Sequence, residues 1–336
     1  QSEDIIVSHF NDDIYYLAIY NPYGNHNVDA VYRKIGQRTE QPFQMMGNIE
    51  QKITVSIGVA NYPESARNSL EIINCAEIVQ SQKKESGTNS IAYFEAPILT
   101  DFIENIQIEN KLKEAIEDHA FELYYQPQYD AGSKKLRGVE ALIRWRGQDG
   151  KFVSPAVFIP LAEKDGLIVQ IGNWVLEEGI RVYADWYRKY GYPMVLSLNI
   201  SALQYKKADF VHHLLVLIEK YQVDPALIEL EITESVLIED FNSVVDKLNT
   251  LKEYGIKISL DDFGTGFSSL SYLKGLPIDT LKIDKSFIDT VINDHPTRVI
   301  TESIIAMVKK LGCETVAEGV ETQEQYDYLK AVNCDN

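Results

Sequence analysis

Ile256-Lys257-Ile258-Ser259-Leu260-Asp261-Asp262, followed at once by Phe263-Gly264-Thr265-Gly266-Phe267-Ser268-Ser269, is the stretch on which the fold turns. A short apolar run ends in two carboxylates and then in a glycine-punctuated loop. Side chains alternate along a strand, so regular geometry would send Asp261 and Asp262 to opposite faces. Where the backbone breaks at a strand end, both can converge on one cation or on a pair. For an isolated pair of aspartates, an Asx-type turn is the simpler reading. The pair gains weight because the same arrangement recurs along the chain.

Working outward, strands are expected over Glu122–Gln128, Leu136–Trp145, Met194–Ile200, Ile228–Thr233, Ile256–Leu260, Thr280–Ile283 and Thr315–Ala317. Helical periodicity separates them at Ile171–Tyr190, Ala208–Tyr221, Phe241–Tyr254 and Thr297–Leu311. Strands and helices in that rhythm imply a βα-repeat fold, either a barrel or an open doubly wound sheet. Nearly every strand carries a polar side chain at or near its C-terminal end: Gln126, Glu140, Asn199, Glu231, Asp261 with Asp262, Lys282 and Glu318. A doubly wound sheet draws its site from a few strands at one switch point, whereas a barrel draws it from all of them. The distribution favours an α/β (β/α)8 TIM-like barrel over 97–336, its eighth strand due just after Cys334-Asp335-Asn336.

Residues 1–96 have a different rhythm and read as part of an α+β domain. Ile14–Tyr20, Ile53–Ala60 and Ile91–Phe94 are its expected strands and Leu70–Gln82 its helix, with Ile98–Ala120 connecting to the barrel. The 336 residues carry a net charge of −18, which argues against a DNA or RNA polymer as partner. Cys75, Cys313 and Cys334 are widely spaced without a Cys-x-x-Cys pattern, as expected of buried thiols in a reducing cytoplasm. No apolar run of about 18 residues is present. Cytoplasmic domains are expected, with room for a membrane tether or sensor upstream of Gln1.

Glu140, Glu231, Asp261, Asp262, Glu318 and the amide of Asn199 form an all-oxygen set suited to Mg²⁺, Mn²⁺ or Ca²⁺ rather than zinc. So many acids on one face repel unless cations sit among them. Five can serve two ions, with Asp261 bridging; two ions about 4 Å apart clamp a phosphodiester and generate hydroxide for in-line attack. Lys282, the lone cation among them, could orient the attacking water or form a salt bridge to Asp284. Arg144 is placed either to hold a phosphate oxygen or to be a solvated strand-end charge. Glu234 could accept backbone N–H groups of the loop after Asp262, or be a plain surface acid. Tyr124-Tyr125 is read as core and rim packing, although a rim tyrosine could stack on a base.

Glu140-Ala141-Leu142-Ile143-Arg144-Trp145 resembles the signature of the EAL domain family of cyclic di-GMP phosphodiesterases. Tyr125-Gln126-Pro127, Leu198-Asn199-Ile200-Ser201, Glu229 to Glu234, Asp261 to Leu270, Leu281 to Asp284 and Ala317 to Glu321 resemble its other motifs, in order. The resemblance implies a modified barrel, two Mg²⁺ or Mn²⁺ ions with Ca²⁺ inhibiting or substituting, and hydrolysis of cyclic di-GMP to linear 5′-pGpG. It implies Glu140, Asn199, Glu231, Asp261, Asp262 and Glu318 as metal ligands, with Lys282, Glu318, Asp261 and Asp262 catalytic. Gln126, Glu140, Arg144, Asn199 and Glu321 fall at substrate positions, and Glu234 at a loop-positioning one. The family also implies a homodimer through the region after the fifth strand. A non-enzymatic cyclic di-GMP receptor is the alternative, and another Mg²⁺-dependent barrel enzyme a third reading.

Residues 1–96 resemble the second half of a GGDEF domain. The signature falls at Asn11-Asp12-Asp13-Ile14-Tyr15, where both glycines are replaced and isoleucine stands at an acidic position. A degenerate, regulatory domain that is not a cyclase is implied; GTP binding there stays open.

Overall fold

The structure is a computed structural model, and it describes residues 5–11, 13–20, 28–39, 41–45, 49–51, 53–84, 90–147, 150–237, 241–264 and 273–336. The chain divides into two compact units, 1–106 and 107–336. No helix among the described residues is long and apolar enough to cross a membrane.

In the first unit, β1 (Ile5–Asn11) pairs antiparallel with β2 (Ile14–Ile19), and β3 (Phe43–Met45) with β4 (Ile49–Gln51). β5 (Ser56–Val59) runs parallel to β6 (Ser90–Tyr93), with the helix Ser69–Lys84 as the crossover. That helix lies directly on β5 because position 58 lacks a side chain: a Cβ there would collide with the Ala76 carbonyl oxygen. The sequence reading missed β1, the helix Val28–Thr39 and the β3–β4 pair. The two pairing strands of three residues each are too short to carry an alternation signal.

The second unit is built on β7 (Phe121–Tyr129), β8 (Leu136–Arg146), β9 (Phe152–Val153), β10 (Val195–Ile200), β11 (Ile228–Thr233), β12 (Lys257–Phe263), β13 (Thr280–Ile283) and β14 (Glu314–Ala317). They form one sheet in the order β7-β8-β10-β11-β12-β13-β14, with β9 on β8. β7 and β8 are antiparallel because the short link 130–135 leaves no room for a crossover helix. From β8 onward the path is parallel, with Ile168–Tyr190 crossing from β8 to β10, Phe210–Tyr221 from β10 to β11, Phe241–Glu253 from β11 to β12 and His295–Lys310 from β13 to β14. The expected TIM-like arrangement is thus modified at its first strand. At the other end, Asn336 donates its N–H to Thr315 O at 3.0 Å and accepts from Ala317 N–H at 3.0 Å. The carbonyl of Asp335 accepts from Ala131 N–H at 2.8 Å, so these residues reach from β14 to the chain just past β7.

Alternation decides which side of each strand is dry. Leu196, Leu198, Ile228, Leu230, Ile258, Leu260, Leu281 and Ile283 are buried in one cluster with Leu176, Ile180, Leu214, Leu248 and Ile305 of the helices. Each such side chain contributes roughly 1.5–3 kcal/mol on leaving water. The residues between them are polar: Ser197 and Asn199, Glu229 and Glu231, Ser259 and Asp261, Thr280 and Lys282. One register row joins Asn199, Glu231, Ser259, Thr280 and Glu314 across successive strands.

At the N-terminal end of the strands these polar residues close on Arg137. Its Nη2 donates to Glu229 Oε2 at 2.8 Å and to Thr280 Oγ1 at 3.0 Å, and Nη1 donates to Gln128 Oε1 at 2.7 Å. Ser197 and Thr280 hydroxyls donate to the same Glu229 carboxylate, each at 2.7 Å. Burial alone would raise the Glu229 pKa, but Arg137 and these hydroxyls together hold it below the ordinary carboxylate value.

Candidate active site

The opposite, C-terminal end of the strands gathers the acids. Lys282 on β13 is 1 % exposed, and its Nζ meets Glu318 Oε1 at 2.6 Å, Glu231 Oε2 at 2.7 Å, Asp261 Oδ2 at 3.1 Å and Glu140 Oε2 at 3.3 Å. Asn199 Nδ2 donates to the other Glu140 oxygen at 2.8 Å. Of the residues expected as ligands, Glu140, Glu231, Asp261 and Glu318 therefore meet at Lys282, with Asn199 joined to them through Glu140. The salt bridge to Asp284 is not the one Lys282 makes: Asp284 instead caps the helix Lys285–Thr290, accepting from Ser286 N–H at 3.0 Å.

The charge balance is lopsided. Burial opposes the Lys282 ammonium, yet Glu231, Glu140, Asp261 and Glu318 around it outweigh burial and hold its pKa well above the usual lysine range. The Glu231 pKa is raised too, by complete burial and by the Glu140 and Asp261 carboxylates, despite Lys282. Burial also raises Glu318 and Asp262, the latter with help from Asp261 and Asp284.

The backbone departs from regular strand geometry at Asp262. This residue adopts φ +55° at the register irregularity between Leu260 and Phe263, and its N–H donates to Asp261 Oδ1 at 2.9 Å. This is the backbone break anticipated from the sequence, a costly conformation for a non-glycine residue. Just beyond it, Gly264 N–H donates to Glu234 Oε1 at 3.2 Å, the bond anticipated for Glu234. The rest of the loop, Thr265 to Leu270, and with it the dimer-linked role expected there, lies outside the described residues.

Gln126, Arg144 and Glu321 are not among the bonded partners of Lys282. Gln126 lies opposite Glu140 in the β7–β8 register. Arg144 donates Nη1 to Ile143 O at 2.8 Å, with its guanidinium carbon 5.7 Å from the Tyr124 ring centre. Glu321 pairs with Lys285 at 2.7 Å, and the Lys285 stem packs on Gly319, whose φ is +70°. Lys285 and Arg137 escaped the sequence reading. A signal for the partners of Arg137, though not for Arg137 itself, existed: Ser197, Glu229 and Thr280 each stand two residues before a site position.

Among the described residues, no three His, Cys, Asp or Glu side chains stand ready as a metal cage; the Lys282 ammonium occupies the meeting point of the carboxylates. The donor set nevertheless fits a hard cation. Its atoms are carboxylate and amide oxygens, and Glu231 Oε1 is buried with no hydrogen-bond partner.

The family model for the EAL domain matches residues 109–336. The chain belongs to the EAL domain family. It is 39% identical over 313 residues to the signaling protein YkoW of Bacillus subtilis, covering 93% of this chain and 39% of that protein. It is 37% identical over 303 residues to the bifunctional diguanylate cyclase/cyclic di-GMP phosphodiesterase MucR of Pseudomonas aeruginosa, covering 90% of this chain and 44% of that one. The chain therefore spans less than half the length of either relative. Among solved structures, the PaMucR phosphodiesterase in complex with c-di-GMP superposes with TM-score 0.66 at 39% identity, over 68% of this chain and 93% of that one.

In this EAL domain, Glu234→Ala should lower turnover while leaving metal content intact, since Glu234 holds Gly264 rather than a ligand. Metal analysis beside rate measurement checks this; loss of bound metal in the variant would contradict the assignment.

Proposed function

We propose that the chain hydrolyses cyclic di-GMP to linear 5′-pGpG at the Lys282 cluster. The observation that carries this is the convergence of Glu140, Glu231, Asp261 and Glu318 on one buried ammonium at the C-terminal end of the sheet. Glu140, Asn199, Glu231, Asp261, Asp262 and Glu318 would hold Mg²⁺ or Mn²⁺, with Ca²⁺ as an inhibitor or substitute. Such ions, when bound, polarise the phosphoryl oxygens and acidify water. Lys282 stays a cation at neutral pH, so its part is to orient the attacking water and offset negative charge on the phosphate, not to act as a base. Glu318, the most exposed of the carboxylates bonded to Lys282, is the one placed to accept a proton from that water. Arg144 and Gln126 bind the substrate beside it.

Incubation with cyclic di-GMP and Mg²⁺ or Mn²⁺ should give pGpG by chromatography, and a chelator should stop it. Tight binding in chelator with the nucleotide left intact would favour the receptor reading instead.

The first unit is proposed as a GGDEF-like regulatory module without cyclase activity, from the residues at its signature positions: Asn11, Asp13 and Ile14 flank the β1–β2 connection, and Asp12 lies outside the described residues. A homodimer through the EAL domain is part of the same reading.

A further inference from the structure

We propose that the short helix Lys285–Thr290 is a brace that sets the positions of Asp262 and Glu318, with Phe287 seating the loop after β12 and Lys285 seating the loop after β14. Both are positioning residues that act on the site through its loops, a role that rests on the phosphodiesterase reading.

The helix begins where it can reach both loops. β13, which carries Lys282, lies between β12 and β14 in the sheet, and the chain turns from it into the helix at Asp284. On one side Phe263 of β12 is level with Ile283 of β13. On the other, Glu318 N–H donates to Ile283 O at 3.1 Å.

Two glycines record the contact. At Gly150, Gly166, Gly191 and Gly312, all with positive φ, an added Cβ would meet nothing within 4 Å, so these are plain turns. Gly264 and Gly319 differ. A Cβ on Gly264, at φ +96°, would stand 2.9 Å from Phe287 Cζ, and one on Gly319, at φ +70°, 2.8 Å from Lys285 Cδ. Each glycine is needed twice, for its backbone angle and for the side chain packed against it, and both side chains come from one helix. Gln325, 7 % exposed, adds a third tie: its Nε2 donates to Ile288 O at 3.0 Å while its Oε1 accepts the N–H groups of Glu321 and Thr322 at 2.8 and 2.9 Å.

The Lys285 ammonium is the lesser part of its contact. It meets Glu321 at 2.7 Å and Asp289 at 2.8 Å, but the three side chains are 46 %, 70 % and 47 % exposed, and such pairs contribute little. The aliphatic stem is what lies on Gly319. The loops so held carry site acids. Asp262 stands two residues before Gly264, and Glu318, bonded to Lys282 at 2.6 Å, directly before Gly319.

The test titrates nucleotide-free protein with Mn²⁺ by calorimetry and measures kcat and KM for cyclic di-GMP at saturating Mn²⁺. Groups that orient ligands from outside are worth about 10- to 100-fold in metal affinity, and Lys285→Ala and Phe287→Ala should each weaken Mn²⁺ binding by that factor. Their kcat should fall while KM stays within about twofold. Lys285→Met and Phe287→Met, which keep a long apolar side chain, should restore most of both losses. Unchanged Mn²⁺ affinity in both alanine variants, or a Lys285→Met as impaired as Lys285→Ala, overturns the brace. A raised KM with unchanged kcat also overturns it, since that marks substrate contacts. If the wild-type protein binds Mn²⁺ but leaves cyclic di-GMP intact, the phosphodiesterase reading falls and the Mn²⁺ titrations alone decide the brace. A wild-type protein that binds no Mn²⁺ overturns both.

Discussion

Asp261→Ala is expected to lower kcat/KM for cyclic di-GMP by about 10³-fold while leaving the fold in place. The loss should be large because Asp261 sits beside Lys282 at 3.1 Å, within the acid cluster and next to the break in the β12 register. The fold should survive because the buried ammonium keeps Glu231 and Glu318 at 2.7 and 2.6 Å and Glu140 at 3.3 Å. Removing one acid from a set with excess negative charge relieves repulsion as well as removing attraction. Steady-state product formation and thermal unfolding, measured together, check both halves. A variant that kept most of its rate would remove Asp261 from the reaction, and one that unfolded would make it a structural residue.

The second large effect is expected at the other end of the barrel. Glu229→Leu should destabilise the protein by about 3–5 kcal/mol, because it strands a guanidinium whose side chain is only 9 % exposed. For a unit of this size that is a fall in melting temperature of roughly 10 °C. Glu314, 54 % exposed, remains as a partner for Arg137 but cannot replace a bidentate, buried carboxylate. Replacing both residues, as in Arg137→Met with Glu229→Leu, should recover much of the loss.

Acid titration gives the same interaction a sign. The folded-state pKa of Glu229 lies below its unfolded value of about 4.3, so its contribution is present above that pH and is lost as pH falls through the lowered value. The unfolding midpoint of Glu229→Leu should therefore depend less on pH below about pH 5 than that of the wild type. An unchanged acid dependence would show that other carboxylates dominate.

Much of this was legible in the sequence because strand alternation is a local property. Asn199, Glu231 and Asp261 each interrupt an apolar run at a position whose partners two residues away are also polar, and that pattern needs no knowledge of neighbours. The motif order from Gln126 to Glu321 made the family legible too. The fold's departures were harder to see. The antiparallel start at β7 follows from a link too short for a helix, and β9 is two residues long. Arg137 gave no local sign, since its partner Glu229 is 92 residues away.

The sequence by itself determined which chemical groups the site contains and which strand end carries each. Only the tertiary structure decided how they are paired. Lys282 might have bonded Asp284, two residues on; curvature of the sheet instead brings Glu140, 142 residues away, and Glu231, 51 away, onto its ammonium. Asp284, left free of it, caps a helix. The physical reason is that a buried charge takes the partners the packed sheet delivers, because inside the barrel no water competes for it.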